Sequence, residues 1–431
     1  MSKRIKPDNS NKPPANRSGG QASPNRFFNR LGVFSLLVMV LVGGFIIGRK
    51  FPNHSSKNSG PVAEPSATML KSGPWGNLEM VPISIAPPKE LLRVQGTTDT
   101  TNIAWNFEGY SREQVGTLLE SLGIADRQRE QMMDGAHLRP TTGGMEMSPS
   151  PEFVFSLSSK ARLGIYQVLA LSSQNSAIQF AVPLAVADTL FEKYGVSKEA
   201  VALFKSVSCA YRNHLVCYCL PFVMQKIPAY EARVALYKAI ACNQTMLVRM
   251  HVTADSDINA LNDYWGKACW STDVKAFLES LSHVKDGTWL DVIELLPPLP
   301  TALLYTYPVP QDRSKPDAIE PDCHWTSMNF FRDVPDNHLK ESPIMAEKLK
   351  TDFFPVGSDP RYGDILLLVT PDNKAIHSAV FLADNIVYTK NGTGALNPWM
   401  LSTIDDLVDL YSFGLPPGKI VRLLYFRNKY Y

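Results

Sequence analysis

The spacing of apolar residues divides the chain into three parts. Residues 31–48 form an uncharged run, LGVFSLLVMVLVGGFIIG. Residues 78–296 show mostly helical spacing, and residues 297–431 alternate short apolar runs with turn residues. Because helices repeat every 3.6 residues and strands every two, these patterns predict a membrane-length helix, then a helical region, then a region with a sheet.

The uncharged run is long enough to span a membrane. Its eighteen residues measure about 27 Å as a helix, close to the hydrocarbon thickness of a bilayer. Basic residues outnumber acidic ones in residues 1–30, so the N-terminus is predicted to be cytoplasmic and the rest of the chain extracytoplasmic. A cleaved signal peptide is the alternative, but the run ends in Gly48-Arg49-Lys50 without a small-x-small site. We therefore expect a single-pass membrane protein with an uncleaved signal anchor.

The flanks of this segment are predicted to lack a fold of their own. Residues 1–30 are polar and basic, which indicates a disordered cytoplasmic tail, and residues 49–77 are rich in Pro, Ser and Asn, which indicates an extended linker. The 431 residues carry a formal net charge of +2. This near balance argues against nucleic acid as a partner.

Residues 78–296 are predicted to form a mainly helical domain of unknown role. One strand is expected at Leu78–Ile85, and i, i+3, i+4, i+7 spacing dominates afterwards. The residues with this spacing are Val115, Leu118, Leu119 and Leu122, then Ala200, Leu203, Phe204 and Val207, then Val274, Phe277, Leu278 and Leu281. A proline-rich stretch at residues 297–300 ends the helical pattern and sets the predicted domain boundary.

Residues 297–431 are predicted to form an α+β domain with an antiparallel sheet. Short apolar runs are separated by turn sequences, and a helical pattern at residues 404–411 precedes the last run. The apolar runs are 365–369, 376–382, 386–388 and 421–426. The predicted fold class of the whole chain is α+β, with one N-terminal transmembrane helix, a mainly helical middle domain and this C-terminal domain.

Five of the six cysteines lie close together in the sequence without a metal-binding pattern. No paired Cys-x-x-Cys spacing occurs, so no metal or cofactor is predicted. In an exported domain these cysteines can supply one or two disulfides, and buried reduced thiols are the alternative. The five are Cys209, Cys217, Cys219, Cys242 and Cys269.

The sixth cysteine, Cys323, has the sequence context of a helix start. Pro321 restricts the chain before it and Asp322 is a good N-cap, so Cys323 is predicted to be the first residue of a helix. The N–H groups at such a position lower the pKa of a thiol and can stabilise an oxyanion. His377, within a predicted strand, provides an imidazole that can act as a base. A cysteine at a helix start with a histidine on a following strand is the geometry of papain-like enzymes.

The order of these motifs resembles the NlpC family of papain-like cell-wall cysteine peptidases. That family has Asp-Cys at the start of the nucleophile helix, Gly-Asp before an apolar strand, and a histidine leading the next strand. Here these are Asp322-Cys323, Gly363-Asp364 and His377, within roughly residues 300–430. The family's Ser-Gly after the cysteine is replaced by His324-Trp325. The resemblance implies a papain-like, NlpC-type fold for the C-terminal domain.

The resemblance also implies a third polar residue that orients the histidine. It is expected about a dozen positions after His377, which falls at Thr389, with Asn391 on the same strand face two residues later. An asparagine amide can hold an imidazole in one tautomer, but Asn391-Gly392 is also an ordinary turn sequence. The choice between Thr389 and Asn391 stays open at this point.

The resemblance implies a membrane-anchored cysteine hydrolase that acts on amide bonds of cell-wall (peptidoglycan) peptides. Cys323 is the expected nucleophile and His377 the expected base, and acyl transfer through a thioester needs no cofactor. One alternative is a binding or scaffold protein whose papain-like domain is catalytically degenerate. Another is a thiol acyl or amide transferase at the membrane. The sequence does not identify protein partners.

Overall fold

Antiparallel ladders connect distant parts of the chain. The structure, a computed structural model, describes residues 66–96, 103–172, 174–175, 180–268, 274–309, 320–413, 415 and 418–430, all within the unit Gly60–Tyr431. The strands are β1 (Thr68–Met69), β2 (Asn77–Ile85), β3 (Trp105–Glu108), β4 (Leu138–Thr141), β5 (Gly144–Met147), β6 (Phe180–Pro183), β7 (Cys209–Tyr211), β8 (His214–Cys217), β9 (Asn243–Val252), β10 (Thr288–Asp291), β11 (Phe353–Val356), β12 (Ile365–Val369), β13 (Ala375–Ala383), β14 (Ile386–Lys390), β15 (Trp399–Thr403) and β16 (Arg422–Asn428).

Several helices begin where a serine, threonine or aspartate caps the first turn, as Ser111 does with a complete capping box. The helices are α1 (Lys89–Gly96), α2 (Arg112–Ser121), α3 (Asp126–Met132), α4 (Pro151–Ser156), α5 (Ser159–Leu169), α6 (Leu184–Lys193), α7 (Lys198–Val207), α8 (Leu220–Gln225), α9 (Tyr230–Ile240), α10 (Ile258–Trp265), α11 (Val274–Ser282), α12 (Pro298–Leu303), α13 (Cys323–Met328), α14 (Ser342–Asp352) and α15 (Ile404–Tyr411). The helices predicted near residues 115, 200 and 274 are confirmed as α2, α7 and α11.

A six-stranded antiparallel sheet carries the candidate functional residues. Its order is β11-β16-β12-β13-β14-β15, and all its neighbouring strands are antiparallel. The inner strands β12 and β14 are buried at every position, which shows that both faces of the sheet are covered. Helix α13 lies against β13 and β14 on one face, and α15 supplies Ile404 and Leu407 to the core on the other.

A second sheet has the order β1-β2-β9-β10. Strand β2 pairs with β9 from Asn77↔His251 to Ile85↔Asn243, so the ladder joins segments that are far apart in sequence. Strand β9 alternates buried and half-buried side chains along most of its length, as expected for a strand with one covered face. Two three-stranded sheets, β3-β5-β4 and β6-β8-β7, pack with α2 to α9 around another apolar core.

One hydrophobic core crosses the predicted domain boundary near residue 297. It contains Leu78 and Met250 from the N-terminal side together with Trp325 and Leu401 from the C-terminal side. At the same junction Thr245 Oγ1 donates to the carbonyl oxygen of Leu401 at 2.8 Å and accepts its N–H at 3.2 Å. The edge strand β15 of the six-stranded sheet is thus fastened to β9 of the other sheet.

The predicted fold class is corrected because it included a transmembrane helix. No helix in the described part of the chain is long and apolar enough to cross a membrane, and the predicted spanning segment, residues 31–48, lies outside the described residues, as does the predicted tail, residues 1–30. Residues 78–296 contain helices α1 to α11, which cover more residues than the strands, and also strands β2 to β10, of which only the first was predicted. Over the described residues the fold is α+β with antiparallel sheets, and the predicted linker, residues 49–77, contains a strand, β1.

The clustered cysteines that the structure describes are buried free thiols, which fits the alternative to disulfides. Sγ of Cys217 and Sγ of Cys219 lie 3.7 Å apart, and the hydroxyl of Tyr166 contacts Cys219 Sγ at 3.1 Å. Cys269 lies outside the described residues. The free thiols in this group are Cys209, Cys217, Cys219 and Cys242.

Replacing Thr245 by valine is expected to lower the free energy of unfolding. The substitution keeps the volume of the side chain but leaves the N–H and carbonyl groups of Leu401 without their buried partner, which costs about 1–3 kcal/mol. Urea unfolding followed by circular dichroism and by tryptophan fluorescence measures the loss. The control is Thr117→Val on the exposed face of α2, where a change within about 0.5 kcal/mol is expected. Equal stability of Thr245→Val and the wild type contradicts the assigned role.

Candidate active site

Helix α13 begins at Cys323, as the sequence predicts. Asp322 is extended and its carboxylate accepts the N–H of Trp325 at 2.7 Å, which is the capping bond expected at a helix start. The helix is short, and its end is fixed by Asn329, whose side chain donates to the carbonyl oxygen of Trp325 at 2.9 Å. The position of the thiol at the first helical residue is therefore set on both sides by local hydrogen bonds.

A chain of polar side chains holds α13 against β13. His324 Nδ1 lies 2.9 Å from Ser378 Oγ, and the same hydroxyl lies 3.0 Å from Ser327 Oγ. Ser327 in turn donates to the carbonyl oxygen of Cys323 at 2.9 Å. The backbone N–H of Ser378 also contacts the Cys323 thiol. The nucleophile candidate is thereby fastened to the residue that follows His377.

His377 is fully buried and held from two sides. Its Nε2 lies 2.9 Å from Thr389 Oγ1, and its ring stacks on Tyr411 with the centroids 4.1 Å apart and the planes at 18°. Its Nδ1 is buried and makes no hydrogen bond with any described residue. An unpaired buried N–H is rarer than an unpaired acceptor. We therefore assign the proton to Nε2, which donates to Thr389, and the lone pair to Nδ1.

Between the two candidates for the third residue, the structure brings Thr389 to the histidine. In the β13–β14 ladder Phe381 faces Val387. His377 lies four residues before Phe381 and Thr389 two residues after Val387, so by the alternation of side chains both point to the same face. Asn391 lies just beyond the end of β14, where its backbone carbonyl accepts from Asn397 and its Oδ1 has no hydrogen-bond partner among the described residues. The bond to Thr389 fits the orienting role, and Asn391 makes no contact of that kind.

The environment of Cys323 acts against the expected low pKa. Burial and, to a smaller extent, the charge of Asp322 raise the pKa of the thiol to about 12, although N–H groups of Ser378 and His324 and the ammonium of Lys390 oppose this. Burial also lowers the pKa of His377 well below its usual range, and His324 adds to the effect. Both groups are therefore neutral at rest, and no hydrogen bond joins Cys323 Sγ to His377 Nδ1 in the described structure.

The Gly-Asp motif has a structural role. Asp364 is buried, accepts the N–H of Arg361 at 2.8 Å and accepts two bonds from Arg427, at 2.9 and 2.7 Å, which tie the start of β12 to β16. Gly363 has φ +87°, and a Cβ there would lie 2.2 Å from the ring of Phe331. Both residues thus close the turn that leads into β12, next to the strand of His377. In the described part of the chain no three His, Cys, Asp or Glu side chains converge on a metal site.

Three residues at the site were not foreseen from the sequence. Ser378 and Tyr411 occupy positions that fit an apolar strand and an apolar helix face, so the sequence pattern predicts core residues there. Lys390 is a charged residue at the end of a strand that is paired on both sides, and this placement is the signal that identifies it as unusual. Their roles depend on which elements meet in space.

The pH dependence of stability is expected to report the buried state of His377. The pKa of His377 is lowered in the folded protein, so below about pH 6.5 the unfolded chain binds a proton that the folded protein does not. Stability therefore falls with falling pH, by up to about 1.4 kcal/mol per pH unit. Urea unfolding at pH 7, 6 and 5 is expected to show a shallower decline in His377→Gln than in the wild type. His338→Gln, at an exposed position, is the control, and an unchanged slope in His377→Gln contradicts the assignment.

Compared with known proteins, the chain matches no family model, no curated protein and no solved structure. The resemblance to the NlpC family thus rests on the Asp-Cys, Gly-Asp and His motifs and stays a prediction.

Proposed function

We propose that this protein is a cysteine hydrolase of the NlpC type that cleaves amide bonds of cell-wall peptides. Cys323 is the nucleophile, His377 the general base and then acid, and Thr389 the residue that orients the imidazole. The observation that carries the proposal is the buried imidazole of His377, whose Nε2 is held by Thr389 while Nδ1 has no partner in the described structure. A histidine fixed at one nitrogen and open at the other is arranged to move a proton.

In the acylation step the thiol proton of Cys323 passes to Nδ1 of His377 as sulfur attacks the substrate carbonyl carbon. A C–S bond forms and the carbonyl π electrons move to oxygen. The tetrahedral intermediate then expels the amine, which takes the proton from His377, and a thioester remains on Cys323. The N–H of Nε2 stays bonded to Thr389 throughout, so the ring keeps its orientation.

In the deacylation step a water molecule is the nucleophile and the sulfur of Cys323 is the leaving group. His377 Nδ1 takes a proton from water as its oxygen attacks the thioester carbon. The C–S bond breaks, the sulfur recovers a proton from His377, and the product leaves as a carboxylic acid. Backbone N–H groups at the start of α13 are the proposed donors to the oxyanion in both steps.

The buried environment determines how this chemistry starts. With the pKa of the thiol raised and the pKa of the imidazole lowered, the ion pair of thiolate and imidazolium is scarcely populated at rest. Proton transfer therefore accompanies the attack and does not precede it. The thiol of the free protein is accordingly expected to react slowly with simple alkylating reagents.

The substrate class is supported by the motifs alone. The Asp-Cys, Gly-Asp and His order resembles that of enzymes which act on peptidoglycan peptides, and amide hydrolysis is the reaction that a Cys–His pair performs without a cofactor. A peptide amide from the cell wall is therefore the first substrate to test.

A second candidate function is binding by a catalytically inactive papain-like domain. It is favoured by one observation: Cys323 is only 6% exposed and does not hydrogen-bond to His377 in the described structure. On this hypothesis the cysteine and histidine are core residues, and the domain recognises peptides without cleaving them.

Hydrolysis of purified cell-wall peptide fragments is expected to depend on both residues. The release of free amino groups is measured for the full chain and for Cys323→Ala, His377→Ala and Thr389→Val. Cys323→Ala is expected to be inactive, and His377→Ala to lose about 10²–10⁴-fold in rate because the base is removed. Thr389→Val, which keeps the imidazole but removes its partner, is expected to lose less.

Matched controls separate catalysis from folding. Cys242→Ala removes another buried free thiol and His338→Ala an exposed histidine, and both are expected to retain wild-type rates. Binding of the same fragments without release of amino groups, at equal affinity in the wild type and Cys323→Ala, rejects the hydrolase and supports the inactive domain.

A further inference from the structure

Lys390 is a fully buried lysine beside the candidate site. Its side chain has no exposed surface, although lysine is almost never buried completely unless it is paired. Its Nζ donates to the carbonyl oxygens of Gly392 at 2.6 Å and Gly394 at 3.4 Å, and lies 5.7 Å from the ring centre of Trp399. Carbonyl oxygens and a ring face both attract a cation, so these contacts hold the ammonium in one place.

The side chain of Lys390 lies on the face of the sheet that α13 covers. Lys390 is opposite Trp399 in the β14–β15 ladder, and Trp399 Nε1 donates to Thr326 Oγ1 of α13 at 3.0 Å. The preceding residue, Thr389, points to the other face, where it holds His377. Of these two consecutive residues of β14, Thr389 thus bonds the imidazole on one face, and Lys390 lies under α13 on the other.

The charges around Lys390 are those of the nucleophile region. Cys323, Asp322 and Glu320 each raise the pKa of Lys390, but burial outweighs them and lowers it to about 8. In return the ammonium lowers the pKa of Cys323, against the effects of burial and of Asp322. Lys390 is thus a cation that opposes the effect of Asp322 on this thiol.

We infer that Lys390 is a positioning residue whose buried ammonium stabilises negative charge on the Cys323 sulfur. It does so from beneath α13, where the carbonyl oxygens of the turn after β14 keep it in place. The role of this charge in acyl transfer rests on the proposed function, because there the sulfur carries charge during attack and again when the thioester breaks. The stabilisation of the thiolate itself does not depend on hydrolysis.

Alkylation of Cys323 by iodoacetamide tests this inference in the full chain. The thiolate displaces iodide, and the rate at the Cys323 peptide is measured by mass spectrometry from pH 6.5 to 9.5 in the wild type, Lys390→Met and Lys390→Arg. Cys209 is the internal reference, since burial raises the pKa of its thiol to about 12 as well. If a substitution makes the whole fold open more often, the alkylation rates of both cysteines change. If it removes only the local charge, the alkylation rate of Cys323 alone changes.

At pH 7 Lys390→Met is expected to alkylate Cys323 about tenfold more slowly than the wild type, the effect of one pKa unit. The ratio of the two rates is expected to approach one above about pH 8, where Lys390 itself loses its proton. Lys390→Arg keeps the charge at every pH and is expected to match the wild type at low pH and exceed it at high pH. The rate at Cys209 is expected to be the same in all three proteins.

If Lys390 only fastens the turn after β14, its replacement loosens the site. Cys323 then reacts at the same rate or faster in Lys390→Met, and either result overturns the inference. Because the assay follows the thiol alone, a protein that fails to hydrolyse cell-wall peptides but shows the expected pH profile contradicts the proposed function and leaves the role of Lys390 standing. Normal hydrolysis with an unchanged alkylation profile in Lys390→Met supports the proposed function and overturns the role of Lys390.

Discussion

The central constraint in this protein is that strands β13 and β14 are covered on both faces. Successive side chains of a strand point to opposite faces, so neighbouring residues here enter two different buried environments. His377 and Thr389 lie with Tyr411 of α15 on one face, while Ser378 and Lys390 lie under α13 on the other. The candidate site therefore uses both faces of the sheet. The candidate base, His377, lies on one face, and the residues that contact or underlie α13 lie on the other.

This burial determines the chemistry more than the local sequence does. Asp322 starts α13 by accepting the N–H of Trp325, yet its charge also raises the pKa of Cys323, so one residue supports the position of the thiol and opposes its ionisation. Helix α13 has only six residues, so few N–H groups at its start can lower the pKa of the thiol again. The positive charge of the buried Lys390 ammonium lowers the pKa of Cys323 and so opposes the effect of Asp322. In the resting state that results, the thiol of Cys323 and the imidazole of His377 are both neutral.

The parts of the fold with local signals could be predicted, and the parts that depend on distant pairing could not. The continuous apolar run of β12 and the Pro-Asp-Cys start of α13 are visible in the sequence, and both elements form where expected. Strand β9 reads NQTMLVRMHV, with only Thr245, Val248 and Val252 as β-branched residues, and its partner β2 lies more than 150 residues earlier. A helix start predicts a low pKa for Cys323, but tertiary burial reverses the direction.

No hydrogen bond joins the Cys323 thiol to the His377 imidazole in the described structure, and separate contacts hold each group. On the helix side, Ser378 is bonded to His324 and Ser327, so α13 cannot move toward the imidazole without moving the strand that carries it. On the strand side, the stacking of Tyr411 and the bond to Thr389 fix the imidazole plane. Each group is therefore held in place by contacts of its own element. In the proposed hydrolysis the thiol proton passes to Nδ1 as the substrate carbonyl carbon approaches the sulfur, and Nδ1 then donates it to the leaving nitrogen of the tetrahedral intermediate. For the proposed hydrolysis, rigid supports of this kind would lower the barrier, because the groups would need no reorganisation once the substrate is in place.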